Sequence, residues 1–207
     1  MRVLYLHGVS GGAGRRVECL RRLHREHLLE DVLAPRFEAL NGVSAALLPA
    51  TLPGVLAQAQ KAFDAFQPGL VVGVSIGARV ALDLRNRAHG HGVPLLLVAP
   101  ACAPLCRLGV AFVRSRAGRP SPCQTLEAGF AERVPAGSTI LHCTEDSLLG
   151  TSIARGLAAG REDVTLVELP YSGAGAPWEG GAAHRFNYPE ALQAFECAVR
   201  RYAGAGA

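Results

Sequence analysis

The sequence predicts an α/β domain with a doubly wound, mostly parallel sheet flanked by helices. Two patterns in its 207 residues carry that expectation. Short apolar runs alternate with longer stretches of helical periodicity, the order that builds a parallel sheet with helices on both faces. The runs at 70–74 and 93–99 are apolar throughout, as strands covered on both sides must be. There is no internal repeat and no linker, and the length suits one ordinary domain, so 1–207 reads as a single unit.

The chain opens with a strand at 2–7, followed by a Gly-rich loop to Gly14 and a helical run at 17–29. Residues 32–35 suit a short strand, and 36–49 an extended crossover. Thr51 is placed to cap a helix that carries Leu52, Val55, Leu56, Ala59, Ala62, Phe63 and Phe66 at helical spacing, with Pro68 and Gly69 ending it. After the strand at 70–74, helical spacing resumes at 76–88. His89-Gly90-His91-Gly92 then breaks the chain before the strand at 93–99. Residues 101–133 are only weakly periodic. A strand at 138–143, a helix at 149–159, a strand at 164–169, a Gly-rich loop at 171–183 and a helix at 189–202 complete the order.

Composition excludes several classes. With 49% hydrophobic and 18% charged residues, the chain has enough apolar surface for a core and is neither disordered nor coiled-coil. The longest apolar stretch, 93–106, contains Pro94, Pro100 and Pro104 and cannot span a membrane as a helix. The apolar run after Arg2 is too short for a secretory signal, so a cytoplasmic protein without a membrane partner is expected. The net charge of +4 is dispersed, and its densest cluster (Arg15, Arg16, Arg21, Arg22, Arg25) lies on one predicted helix as a solvated face. No basic stripe with interleaved aromatics marks a nucleic-acid partner. The six cysteines form no C-x-x-C pair and have no histidine set beside them, which gives free thiols, no metal and no cofactor.

The chemistry concentrates at Gly73-Val74-Ser75-Ile76-Gly77, a G-x-S-x-G set between a buried strand and a helix. The turn is too sharp for side chains at the flanking positions, so glycines let strand and helix approach while Ser75 stands at the tip. A serine hydroxyl needs a base. Of the seven histidines, His184 alone follows the last strand and fits the order nucleophile, acid, base; His142, inside a strand, reads as a core residue. Glu145 and Asp146 end the strand at 138–143, and either could fix the base's tautomer or cap the following turn. An oxyanion hole needs two converging N–H donors, for which Val9 and Ile76 are the candidates. The alternative, that Gly8 to Gly14 cradles a phosphate, fails on glycine spacing and the missing lysine.

Taken together, Leu4-Tyr-Leu-His-Gly8, Gly73-Val-Ser-Ile-Gly77, Leu141-His-Cys-Thr-Glu-Asp146 and Ala183-His184-Arg-Phe resemble the α/β-hydrolases, in particular the short YqiA-like esterases. The resemblance implies a reduced sheet of about six strands and prefers Asp146 as the acid, although Cys143 stands where the family usually has glycine. It also puts 101–133 where the family inserts a cap. There Leu105, Leu108, Val110, Phe112 and Val113 either line an acyl pocket or close the core. Candidate substrate contacts are Ser10, Leu105, Leu108 and Phe112. The expected activity is hydrolysis of a small carboxylic ester or thioester by Ser75, His184 and Asp146. Acyl transfer or C–C hydrolysis on the same residues, and a non-catalytic binding module, are the alternatives.

Overall fold

Side chains alternate across a strand, so a strand that is apolar at every position feeds two cores at once. The structure is a computed structural model describing residues 1–9, 14–40, 47–87, 92–116, 122–177 and 182–204. Its strands are β1 (Arg2–Leu6), β2 (Asp31–Leu33), β3 (Leu70–Val74), β4 (Leu95–Val98), β5 (Thr139–Cys143) and β6 (Thr165–Leu169). They form one open sheet in the order β2-β1-β3-β4-β5-β6, and every pairing is parallel. This is the expected doubly wound sheet.

The helices are α1 (Arg15–Arg25), α2 (Leu48–Phe66), α3 (Ile76–Arg87), α4 (Leu105–Arg116), α5 (Thr151–Ala158), α6 (Ala182–Arg185) and α7 (Pro189–Gly204). On one face, Val3, Tyr5, Val72, Val98 and Leu141 pack with Val17, Leu20 and Leu23 of α1 and Phe195 and Val199 of α7. On the other, Leu4, Leu6, Val71, Leu97 and Ile140 pack with residues of α2, α3 and α5. Strand order reverses between β1 and β3, and the crevice at the carboxyl ends of such a pair is where doubly wound sheets bind ligands. β3 leads directly into Ser75 at that point.

Four elements depart from the sequence reading for identifiable reasons. Helix α1 stops at Arg25 rather than continuing to Leu29. His27 takes a left-handed backbone (φ 60°), and Leu28 N–H returns to the Leu23 carbonyl, which folds Leu29 back into the core. Helix α2 begins at Leu48, so Thr51 is not its cap. Its hydroxyl donates to the Leu47 carbonyl from inside the first turn, where Pro49 is tolerated because first-turn N–H groups lack helical acceptors. Strand β2 ends at Leu33 instead of reaching Pro35. Finally, 101–133 contains α4, whose Leu105, Leu108 and Ala111 recur at three-residue spacing. Of the break read at 89–92, only Gly92 falls within the described residues.

Beyond α4, the segment carrying Glu127 and Phe130 is fastened to α3. The Arg79 guanidinium donates to both Glu127 carboxylate oxygens (2.9 and 3.0 Å) and to the Ala103 carbonyl (3.1 Å). It also lies over the buried Phe130 ring, 4.7 Å from the centroid. Among the described residues, no helix is long and apolar enough to cross a membrane.

Candidate functional site

The turn after β3 is built by exclusion. A Cβ on Gly77 would stand 2.1 Å from the Leu6 carbonyl oxygen and 2.8 Å from that of His7; one on Gly73 would stand 2.5 Å from Ala78 Cα. Only glycine permits α3 to start this close to β1 and β3. Between them, Ser75 has φ 54°, a left-handed conformation that costs a non-glycine residue about 1–3 kcal/mol. The surroundings hold it there. Ser75 N–H donates to the Val98 carbonyl (2.9 Å), and its own carbonyl accepts from Ala78 and Ala101 (3.0 and 3.1 Å).

Three side chains from distant segments meet at this tip. Ser75 Oγ lies 2.9 Å from His184 Nε2, and His184 Nδ1 lies 2.8 Å from Asp146 Oδ2. Ser75 and His184 keep 8% and 14% of their exposure, whereas the Asp146 side chain is fully covered. The two oxygens of Asp146 do different work. Oδ2 faces the imidazole, and Oδ1 accepts the N–H groups of Leu148 and Leu149 (2.8 and 3.0 Å). The turn-capping role and the histidine-facing role considered for this position are therefore both filled by one carboxylate. Burial opposes its charge. The His184 imidazole and these donors outweigh burial and leave the carboxyl below its usual range.

Glu145 points elsewhere. It accepts the Tyr171 N–H (2.8 Å) and the Thr144 hydroxyl (2.6 Å), anchoring the segment that leaves β6. The sequence left the choice between Glu145 and Asp146 open; in the structure it is Asp146 that faces His184.

Of the proposed oxyanion donors, Ile76 supplies the first N–H of α3, which has no acceptor within its helix. Val9 lies in the turn after β1, where a Cβ on Gly8 would stand 3.1 Å from Ser75 Cβ. Sequence reasoning gave His7 no role, yet it organises this turn. Phe37 N–H donates to its Nε2 (3.0 Å), so Nδ1 carries the proton and donates to the Gly8 carbonyl (2.6 Å). A histidine at a strand end gives no signal of that bond, because Phe37 is remote in the chain. His142, read as a core residue, is 1% exposed, and burial pulls its basicity below the ordinary value.

Of the candidate substrate contacts, Leu105 and Leu108 fall within the described residues. Leu108 belongs to the core cluster at 4% exposure, and Leu105 packs at its edge. Ser10 and the side chain of Phe112 lie outside the described residues. Among those described, no group of His, Cys, Asp or Glu side chains is arranged to hold a metal ion. The six cysteines are free thiols.

No protein-family model matches the sequence, and no curated protein matches it either. Solved structures do. A protein described as a hydrolase of the alpha/beta superfamily, from Xanthomonas campestris pv. campestris, superposes with a TM-score of 0.63 at 18% identity, covering 99% of this chain and 98% of that one. The monoacylglycerol lipase of Paleococcus ferrophilus gives 0.60 at 15% identity over 100% and 95%. The proline iminopeptidase of Mycobacterium smegmatis gives 0.60 at 12% identity over 100% and 91%.

Proposed function

We propose that this chain, which has the α/β-hydrolase fold, is a serine hydrolase that cleaves a small carboxylic ester or thioester through an acyl-enzyme on Ser75. The observation that carries the reading is the unbroken row Ser75 Oγ, His184 Nε2, His184 Nδ1, Asp146 Oδ2, with both contacts under 3.0 Å. The hydrolase, lipase and peptidase names of proteins with this fold support the reaction class.

In the proposed mechanism the buried Asp146 carboxylate accepts a hydrogen bond from His184 Nδ1–H, which keeps the proton on Nδ1 and leaves Nε2 unprotonated toward Ser75. Ser75 Oγ attacks the substrate carbonyl carbon as its proton passes to Nε2. The electron pair displaced onto the carbonyl oxygen is met by the N–H groups of Ile76 and Val9; a donor of this kind is worth about 3–4 kcal/mol of barrier. Collapse breaks the bond to the alcohol or thiol, which leaves with the proton from Nε2. Water then attacks the acyl carbon, gives its proton to Nε2 and releases the acid, and Ser75 recovers its proton. Asp146 stays ionised throughout and stabilises the imidazolium. The reaction requires no cofactor, and the cytoplasm remains the proposed compartment.

The test is Ser75→Ala assayed on short p-nitrophenyl esters and with a fluorophosphonate probe. Turnover and covalent labelling should both be lost while the thermal transition persists. Hydrolysis surviving in that variant would remove Ser75 from the mechanism. A wild-type protein that neither turns over esters nor takes the probe would favour the non-catalytic binding module.

A further inference from the structure

The chain leaves the sheet at the end of β4, passes through α4 and returns along α3, and this excursion meets the candidate site at both of its ends. At the outgoing end, Ser75 N–H donates to the Val98 carbonyl and Ala101 N–H donates to the Ser75 carbonyl (2.9 and 3.1 Å). Between those partners Ala99 is itself left-handed (φ 44°), so two adjoining strand exits each keep a non-glycine residue in a conformation that its neighbours must hold. At the returning end, Cys123 N–H donates to the Leu148 carbonyl (3.0 Å), and Gly150 N–H donates to the Cys123 carbonyl (2.8 Å). Those two bonds bracket Leu148 and Leu149, whose own N–H groups hold Asp146 Oδ1.

One side chain closes the two ends on each other. Arg79, one helical turn beyond Ser75, donates to the Ala103 carbonyl on the way out and to both Glu127 carboxylate oxygens on the way back. Glu127 N–H adds a bond to the Cys102 carbonyl (2.8 Å). Ala101, Cys102 and Ala103 are buried, so the Ala103 carbonyl would lose its donor in a place closed to solvent if the guanidinium were removed. Farther along the chain, Arg133 pairs with Asp83 of α3 and lies 4.6 Å from the Phe130 centroid, a second grip on the same segment.

We propose that Arg79 and Glu127 are positioning residues for hydrolysis: by closing the root of the excursion they hold the Ser75 turn and the Asp146 turn at the separation that lets His184 reach both. The proposal rests on the hydrolase reading of those three residues. The influence passes through backbone groups. Arg79 fixes Ala103, the Ala101 N–H two positions earlier is fixed with it, and that N–H holds the Ser75 carbonyl. Both contacts of the His184 ring are under 3.0 Å, so a small drift of either turn opens the row. A misplacement of about 1 Å in such a constellation costs on the order of 10²-fold in rate.

The experiment compares wild type with Arg79→Met, Glu127→Gln and Arg133→Met in p-nitrophenyl butyrate hydrolysis, in the rate of fluorophosphonate labelling and in urea unfolding. Arg79→Met should lower kcat and the labelling rate by about a hundredfold while KM changes by no more than about twofold. Glu127→Gln turns one acceptor into a donor facing the guanidinium, and should lower both rates by about tenfold. Arg133→Met, which releases only the second grip, should lose stability yet keep kcat within about twofold of wild type. An unchanged kcat in folded Arg79→Met overturns the proposal, as does a loss confined to KM or an equal loss of kcat in Arg133→Met. Where Arg79→Met gives no soluble protein, Glu127→Gln decides by the same criteria. An active wild type with insensitive variants refutes the positioning role alone; a wild type that neither cleaves the ester nor takes the probe refutes the hydrolase reading and this proposal with it.

Discussion

Replacing Asp146 by Asn separates the two jobs of that side chain. Its Oδ1 faces two backbone donors, the N–H groups of Leu148 and Leu149, so the amide oxygen of Asn must stay on that side. The amide NH₂ is then forced toward His184 Nδ1, where the carboxylate oxygen had been, 2.8 Å away. Two donors cannot face each other, so the imidazole must move its proton to Nε2, and that proton points at Ser75 Oγ. The base is blocked although no atom has been deleted. A histidine held in the wrong tautomer costs a hydrolase of this type about 10⁴ in kcat. Stability should change little, since each hydrogen bond of the native arrangement has a counterpart. Asp146→Ala makes the contrast: two N–H groups lose their acceptor at about 1–3 kcal/mol each, so both activity and thermal stability should fall. The assay is p-nitrophenyl butyrate hydrolysis alongside urea unfolding of wild type and both variants. Acidity adds a further check. The folded carboxyl titrates below its ordinary value of 3.8, so its contribution is complete above that pH and fades as pH falls through the lower, folded value. The stability gap between wild type and Asp146→Ala should therefore be flat near neutrality and narrow only in strong acid. An Asn variant retaining a tenth of wild-type activity, or destabilised as much as the Ala variant, would refute the reasoning.

Three further outcomes are expected. Gly77→Ala drives a Cβ to 2.1 Å from the Leu6 carbonyl oxygen and should abolish soluble folded protein or cost about 3 kcal/mol or more; Gly54→Ala, within α2 with nothing within 4 Å, should raise stability by about 0.5–1 kcal/mol in the same urea titration. Arg79→Met breaks a contact whose guanidinium is 10% exposed but whose carboxylate is 35% exposed, so solvent screening limits the loss to about 1–3 kcal/mol; amide exchange should accelerate around Glu127 and Phe130 before it does in the sheet. At pH 8 a disulfide thiol reagent should titrate the exposed Cys106 and Cys197 quickly. Cys143, whose thiol burial pushes up to about 11, and the buried Cys102 and Cys123 should react only on unfolding, so four or more fast equivalents would contradict the packing.

The sheet was legible because burial on both faces leaves its inner strands apolar at every position, as in Leu70 to Val74, although such uniform runs carry no mark of register. Ser75 was legible because a sharp turn has a sterically dictated composition, and Gly73 and Gly77 advertise it locally. The helix starts were less so. Pro49 falls in the first turn of α2, where the N–H groups have no helical acceptor and a proline costs no hydrogen bond, whereas Pro53 lies inside the helix. The residues alone ordered His184 after Glu145 and Asp146 without choosing between the two acids; only the family resemblance singled out Asp146, because a contact spanning 38 positions leaves no local mark. His7 with Phe37 and Arg16 with residues 185–187 were out of reach altogether. His7 meets the Phe37 N–H, and Arg16 meets two carbonyls besides the Asn187 side chain; a backbone group leaves no mark on the residue type.

The first strand lies inside the sheet, between β2 and β3, and α1 packs against α7 at the other end of the chain. Residues from both termini thus share one hydrophobic layer, reinforced by Arg22 with Glu196 and Arg200 with Glu26. During synthesis the earliest segment must wait for the latest before that layer closes. A product clipped before α7 would leave bare the sheet face that Phe195 and Val199 cover, so the two ends of the chain close that layer together or not at all.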